Sequence, residues 1–389
     1  MRKSAENLCV YRDSVLVEAD MENTTVKERV VQSTRVFKGA NLVSEVVPRL
    51  RADIQEGSLF FVYEDDVKPL ADELIQSLKK GGYRLTIASV SECENCREKS
   101  IAPDFVRHVF AVGAEPASEM AKRIATTLDI GWSLFLTSPE SDDIFVAKPP
   151  NQVFIDKNVL IKCRCEQIAA GYGILLAKKL TAFEDVFAQK VLSKGSAESV
   201  DIDVEKITDA SDLAECVLIF SSNKKTQDSA ERMAKIMRAL ALKKGRKPRL
   251  DGEYRFLASA AILSFYSLYL GSPGIDGAPP CDREGDMDKL SELKVESIPL
   301  KCVDFFDING YFRIEYILSE YRMDFLEKLA GIDLHGMQRF WRRLYDDAGY
   351  WLKGEITASE TLSCMALAGA VSDNLLGYAH ASGFMSKFG

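Results

Sequence analysis

Histidine is scarce in this sequence. His108, His335 and His380 are the only three in 389 residues, so a centre built on several imidazoles has few donors to draw on. A basic excess is also missing: 50 Lys and Arg stand against 58 Asp and Glu, a net charge of -8. That balance argues against nucleic acid or an anionic membrane as a partner, since either favours a basic surface. No apolar run reaches membrane-spanning length. The longest, Phe256–Leu270, is too short and reads as a buried helix. The opening "MRKSAENLCVYRDS" lacks an apolar core, so no secretory signal is expected there. The nine cysteines are odd in number and scattered, which suggests reduced thiols and a cytoplasmic location. Cys93-x-x-Cys96 and Cys163-x-Cys165 invite a zinc reading, but only if both pairs converge. Free or core thiols are the preferred reading.

What is present has an ordered texture. Ser58–Tyr63, "SLFFVY", suits a strand buried on both faces. A helix follows over "VKPLADELIQSLKK" and stops at Gly81-Gly82. Further strands are expected at "YRLTIAS", "HVFAVG", "WSLFL", "IFVAK" and "QVFID", with a loop over 91–104. Strands alternating with helices imply a largely parallel sheet covered on both faces. From about residue 160 the periodicity becomes helical throughout. The reading is an α/β dinucleotide-binding, Rossmann-like domain over 1–160 and an all-α domain over 161–389.

One stretch sets the functional question. "FAVGAEPASEMAKRIATTL", Phe110–Leu128, reads as strand, tight turn and helix, the layout that grips a pyrophosphate. A phosphate-gripping turn uses several glycines to bring backbone N–H groups close to oxygen. Here the turn is Gly113-Ala114-Glu115-Pro116, and Pro116 has no N–H to give. Glu115 puts a carboxylate at the positive helix end, where it favours the helix and takes the anion's place. The turn is thus either a plain self-capped helix start or a weakened nucleotide site.

The order of signatures resembles the superfamily of iron-containing alcohol dehydrogenases, glycerol and glycerol-1-phosphate dehydrogenases and 3-dehydroquinate synthases. The resemblance covers roughly residues 34–280. It rests on "RVFKGANLVSEVVPRL", "FFVYEDDVKPLADELIQSLKKGG", "VGAEPASEMAKRIA", "LTSPESDD" and "PPNQVFID" followed by "AAGYGILLAKKLTAFED". It implies a dehydroquinate synthase-like architecture, a homo-oligomer and NAD(P) as the cofactor of an active form. It implies Glu64, Gly113, Ala114, Glu115, Lys122 and Thr137 as the cofactor-side residues and Asp142 on the substrate side. Lys122 reads equally as an ordinary surface lysine.

The departures from that resemblance concern the metal. Its three ligand positions fall on Ile174, Tyr254 and Asp276. An alkyl group cannot bind a metal, and one carboxylate with a phenol suits neither zinc nor iron(II). No metal ligands are therefore assigned. His108 reads as a satisfied core histidine; His335 and His380 are poor candidates for replacement. Lys178 and Lys179 follow the altered position and either supply the missing positive charge or are solvated. "KKGRKPR", Lys243–Arg249, either attracts a phosphorylated substrate or is a solvated loop. The favoured reading is a divergent, metal-free, catalytically degenerate member that binds a nucleotide or small phosphorylated ligand between its domains. The alternative is an active NAD(P)-dependent polyol or glycerol-phosphate dehydrogenase, or cyclase, rebuilt around Asp142, Lys178, Glu253 and Asp276.

Overall fold

A computed structural model describes residues 26–54, 57–95, 105–141, 143–145, 147–192, 207–222, 229–272, 282–295, 298, 308–332, 356–372 and 374–387. The chain divides into two compact units. The first is Met1–Gly171 with Asp201–Lys224; the second is Tyr172–Val200 with Lys225–Gly389.

The first unit is built on seven strands: β1 (Lys27–Val31), β2 (Thr34–Gly39), β3 (Ser58–Tyr63), β4 (Arg84–Ser89), β5 (Val106–Gly113), β6 (Gly131–Leu136) and β7 (Gln152–Asp156). Their order across the sheet is β1-β2-β7-β6-β5-β3-β4. All neighbours from β2 to β4 run parallel, and β1 alone is antiparallel, forming a hairpin with β2. The connecting helices are α1 (Val43–Arg51), α2 (Lys68–Lys80), α3 (Val90–Asn95), α4 (Glu115–Thr127) and α5 (Lys157–Leu160). This is the expected α/β arrangement, and its central strands β3, β5, β6 and β7 are buried along most of their length, as strands covered on both faces are. Phe37 stacks on Phe154 at 5.3 Å, and Phe61 on Phe110 at 5.8 Å, on the side that α1 and α2 cover with Val46, Leu50, Leu74 and Leu78.

Two local expectations fail. "IFVAK" is not a strand; Asp143–Phe145 forms a 3-10 turn. Part of the expected loop over 91–104 is the short helix α3. The Glu92 carboxylate accepts from the Ser89 N–H at 2.7 Å, while the Ser89 hydroxyl accepts from the Glu92 N–H. That reciprocal cap lets six residues hold a helical turn. Residues 96–104 lie outside the described residues.

After Asp156, the described residues hold helices and no strand. They are α6 (Cys165–Leu192), α7 (Ala210–Ser222), α8 (Ser229–Lys243), α9 (Asp251–Gly271), α10 (Arg283–Leu293), α11 (Ile308–Ala330), α12 (Ala358–Ala370) and α13 (Leu375–Ala381). The division between units falls inside α6, and α7 belongs to the first unit. There the ammonium of Lys38 on β2 is paired with Asp212 and, at 2.8 Å, with Glu215 of α7. In the second unit, Gly173 on α6 and Gly252 on α9 meet backbone to backbone. A Cβ on Gly173 would lie 1.8 Å from the Gly252 carbonyl oxygen. Among the described residues no helix is long and apolar enough to cross a membrane.

Candidate functional site

In an open parallel sheet, ligands gather beyond the carboxyl ends of the strands where the strand order reverses. Here that point lies between β3 and β5, because β4 flanks β3 on one side and β5 on the other. The residues that follow these two strands are Glu64 and the Gly113-Ala114 turn, which leads into α4.

Glu64, expected on the cofactor side, is engaged by backbone of its own unit. Its Oε1 accepts hydrogen bonds from the backbone N–H groups of Ala114 at 2.7 Å and Ala117 at 3.2 Å. These are free N–H groups at a helix start, where a phosphate would be held. The helix start is therefore occupied by the protein's own carboxylate. The donor of that carboxylate corrects the sequence reading: it is Glu64, fifty residues upstream, while Glu115 is exposed as the first residue of α4. Burial raises the Glu64 carboxyl above its ordinary range, against the pull of the two N–H groups.

Gly113 shows how tightly this is built. Its φ is +154°, and a Cβ there would lie 2.5 Å from Glu64 Oε1 and 2.7 Å from the Ala117 Cβ. The glycine makes room for a side chain of the same molecule. A pyrophosphate does not fit this turn while Glu64 holds it. Lys122, expected on the cofactor side, is buried and its ammonium is paired with Glu119 on its own helix.

Beside this closed turn lies a cavity of about 630 Å³, wholly within the first unit. It opens along the carboxyl ends of β2, β6 and β7. Val43, Val67, Leu70 and Val159 give it apolar walls; Asn41, Asn158, Gln167 and Thr137 give it amides and a hydroxyl. Asp156 holds the frame, accepting from the Leu42 N–H at 2.6 Å and the Asn158 N–H at 2.8 Å. Thr137, an expected cofactor-side residue, lines the cavity, and its carbonyl accepts from the Cys163 thiol at 3.1 Å. In the loop after Thr137, the buried hydroxyls of Ser138 and Ser141 have no hydrogen-bond partner among the described residues. Lys162, Arg164, Asp66 and Glu73 add two cations and two carboxylates to the lining. This cavity was not legible as such: its residues come from four separate segments, 41–44, 66–73, 137 and 156–167.

Two residues of the expected catalytic set, Lys178 and Glu253, lie among the described residues. Asp142 and Asp276 lie outside the described residues. Glu253 is the third residue of α9, where its carboxylate accepts from the Leu250 N–H at 3.1 Å and faces Arg249 at 3.4 Å. It is a helix-capping group. Lys178 is half-buried in the second unit. Burial works to raise the Glu231 carboxyl there, but Arg255, Lys235 and Lys178 together hold it below its usual range.

The metal positions can be followed on two of three residues. Ile174 is buried beside Gly173, at the point where α6 meets α9. Tyr254, two residues past Gly252 on α9, is also buried, and its hydroxyl accepts from the Arg249 N–H at 3.4 Å. An alkyl group and an engaged phenol do not fit a divalent metal. Among the described residues, no three His, Cys, Asp or Glu side chains gather as a metal site. His108 is buried against the Ser133 hydroxyl at 2.9 Å, and burial lowers its pKa to about 4. His380 is buried against Asp286 at 3.0 Å; His335 lies outside the described residues. Of the basic loop, Lys244 and Arg246 both pair with Glu360 at the start of α12, so those two cations serve a helix cap. Cys93 and Cys163 are buried and form no disulfide; Cys96 and the side chain of Cys165 lie outside the described set.

The chain is similar to solved dehydrogenase structures. A glycerol dehydrogenase from Schizosaccharomyces pombe aligns over 79% of this chain and 90% of its own, at 13% identity and a TM-score of 0.46. An iron-containing alcohol dehydrogenase from Thermococcus thioreducens aligns over 92% and 99%, at 11% identity and a TM-score of 0.48. A 2-deoxy-scyllo-inosose synthase aligns over 76% and 89%, at 15% identity and a TM-score of 0.45. No family model matches the sequence, and no curated protein matches it.

Proposed function

We propose that this chain keeps the scaffold of the dehydrogenase and cyclase superfamily it resembles in sequence but not its metal-dependent hydride transfer, and that it acts as a ligand-binding protein. The observation that carries this reading is Ile174. The contact between Gly173 and Gly252 puts Ile174 and Tyr254 on neighbouring stretches of α6 and α9, which supports the register in which both fall at metal-ligand positions. A bound metal in such a site supplies Lewis-acid stabilisation of an alkoxide. Here the side chain at the first position has no electron pair to offer. Glu253, the carboxylate next to Tyr254, is committed to its helix start and to Arg249, which counts against a rebuilt centre there.

Two measurements test this. Elemental analysis of the purified protein is expected to find no stoichiometric zinc or iron. The double variant Ile174→Asp, Tyr254→His is expected to gain zinc affinity by at least about tenfold, read by competition with a chromophoric chelator. A wild-type protein with one tightly held divalent ion per chain sinks the reading. An unchanged affinity in the double variant refutes the register.

A further inference from the structure

We propose that the cavity of the first unit takes a neutral, hydroxyl-bearing ring compound, a nucleoside or a sugar, and that Glu64 is a resident anion that bars phosphorylated ligands from the adjoining helix start. This deepens the ligand-binding reading, yet it rests on the first unit alone. It stands or falls separately from the loss of metal chemistry in the second unit.

The argument begins with what a phosphate needs. It needs free N–H groups at the start of α4 and space beside a glycine. Both are present and both are used: Ala114 and Ala117 donate to Glu64 Oε1, and the space a Cβ would take at Gly113 holds the same carboxylate. A phosphate entering here must displace Glu64 or sit beside a like charge. The cations that line the adjoining cavity, Lys162 and Arg164, are offset by the carboxylates of Asp66, Glu73 and Asp156, and the rest of its lining suits a neutral ligand. Val43, Val67, Leu70 and Val159 offer apolar surface for a ring. Asn158 donates to the Asn41 Oδ1 at 2.8 Å and the Gln167 Oε1 accepts from the Arg164 N–H at 3.0 Å, so the Asn41 and Gln167 amide N–H groups and the Asn158 carbonyl are the polar atoms turned to hydroxyl groups and ring nitrogens.

The test titrates the full chain by calorimetry with adenosine, myo-inositol, ADP and inorganic phosphate. Wild type is expected to bind one of the two neutral probes and to bind ADP and phosphate more weakly. Hydrogen exchange is expected to show protection over residues 156–167 on binding. Adenosine against myo-inositol distinguishes the nucleoside from the sugar. Glu64→Ala is expected to raise ADP affinity by at least about tenfold, because the donors and the space are released. Glu64→Gln keeps an acceptor for Ala114 and Ala117 without the charge. It is expected to fold like wild type and to bind ADP about threefold more tightly, which keeps the test decisive if the alanine variant does not fold. Wild type that binds neither neutral probe overturns the ligand class. Wild type that binds ADP as tightly as the Glu64 variants overturns the role of the carboxylate.

Discussion

The contact between Glu64 and Gly113 predicts a specific energetic coupling. Gly113→Ala introduces two costs. The first is backbone strain, about 1–3 kcal/mol for a non-glycine residue at φ +154°. The second is eviction of the Glu64 carboxylate, since the new Cβ would lie 2.5 Å from its Oε1. Eviction forfeits two hydrogen bonds from backbone N–H groups to a charged acceptor, about 2–3 kcal/mol together in this partly buried setting. Glu64→Ala alone forfeits the same two bonds. In the double variant they can be lost only once. The two substitutions should therefore be sub-additive by about 2 kcal/mol, with Gly113→Ala in the alanine background costing only strain and the contact with Ala117. With two units in the chain, one global unfolding curve is a poor reporter. Native-state hydrogen exchange on peptides covering Ala114–Thr127 reads the local opening of α4 directly. Additivity within about 0.5 kcal/mol would mean that the carboxylate is not held at this helix start, and the closed-turn argument would fail with it.

Two pH predictions follow from buried ion chemistry. The pKa of His108 is lowered to about 4 in the folded chain against 6.5 in the open one, so the unfolded state binds the proton first. Stability is then fully present above pH 6.5 and lost as pH falls towards 4, by about 3 kcal/mol, and His108→Leu should remove that slope in urea titrations of the first unit. On α7, burial opposes the charge of Asp212, but Lys38 of β2 and Thr208 together lower its pKa to about 2. Its contribution is present above about pH 4 and fades as pH falls through 2. Lys38→Met leaves Asp212 and Glu215 facing each other without the ammonium between them. It should cost about 2–3 kcal/mol at neutral pH and shrink the acid-labile part of the curve. Equal acid profiles for variant and wild type would show that the clamp contributes nothing.

Much of the fold was legible because local chemistry and tertiary fate agree. Ser58–Tyr63 is nearly continuous in apolar residues and lies between two parallel neighbours. Lys68–Lys80 has its apolar residues on one stripe and ends at glycines, and it covers that sheet. The helical half announced itself by periodicity alone. Val90–Asn95 was missed because its reciprocal cap lies in a polar stretch without an apolar stripe. "IFVAK" misled because a short apolar run carries no period of its own, and Asp143–Phe145 closes into a turn instead.

The amino-acid order by itself determined residue types: an alkyl group at Ile174, a phenol at Tyr254, and a turn with a single glycine. Chemistry of that kind is a property of residue type, and no folding changes it. It could not say which carboxylate sits at the start of α4. Glu115 is adjacent in the chain, yet Glu64 arrives from fifty residues away, because β3 and β5 lie side by side and both end at the same edge. Nor could it find the cavity, whose walls come from the ends of β2, β6 and β7 and the starts of α1 and α2. Proximity across a sheet depends on strand order, and strand order follows from how the two faces are covered, not from any one segment's composition.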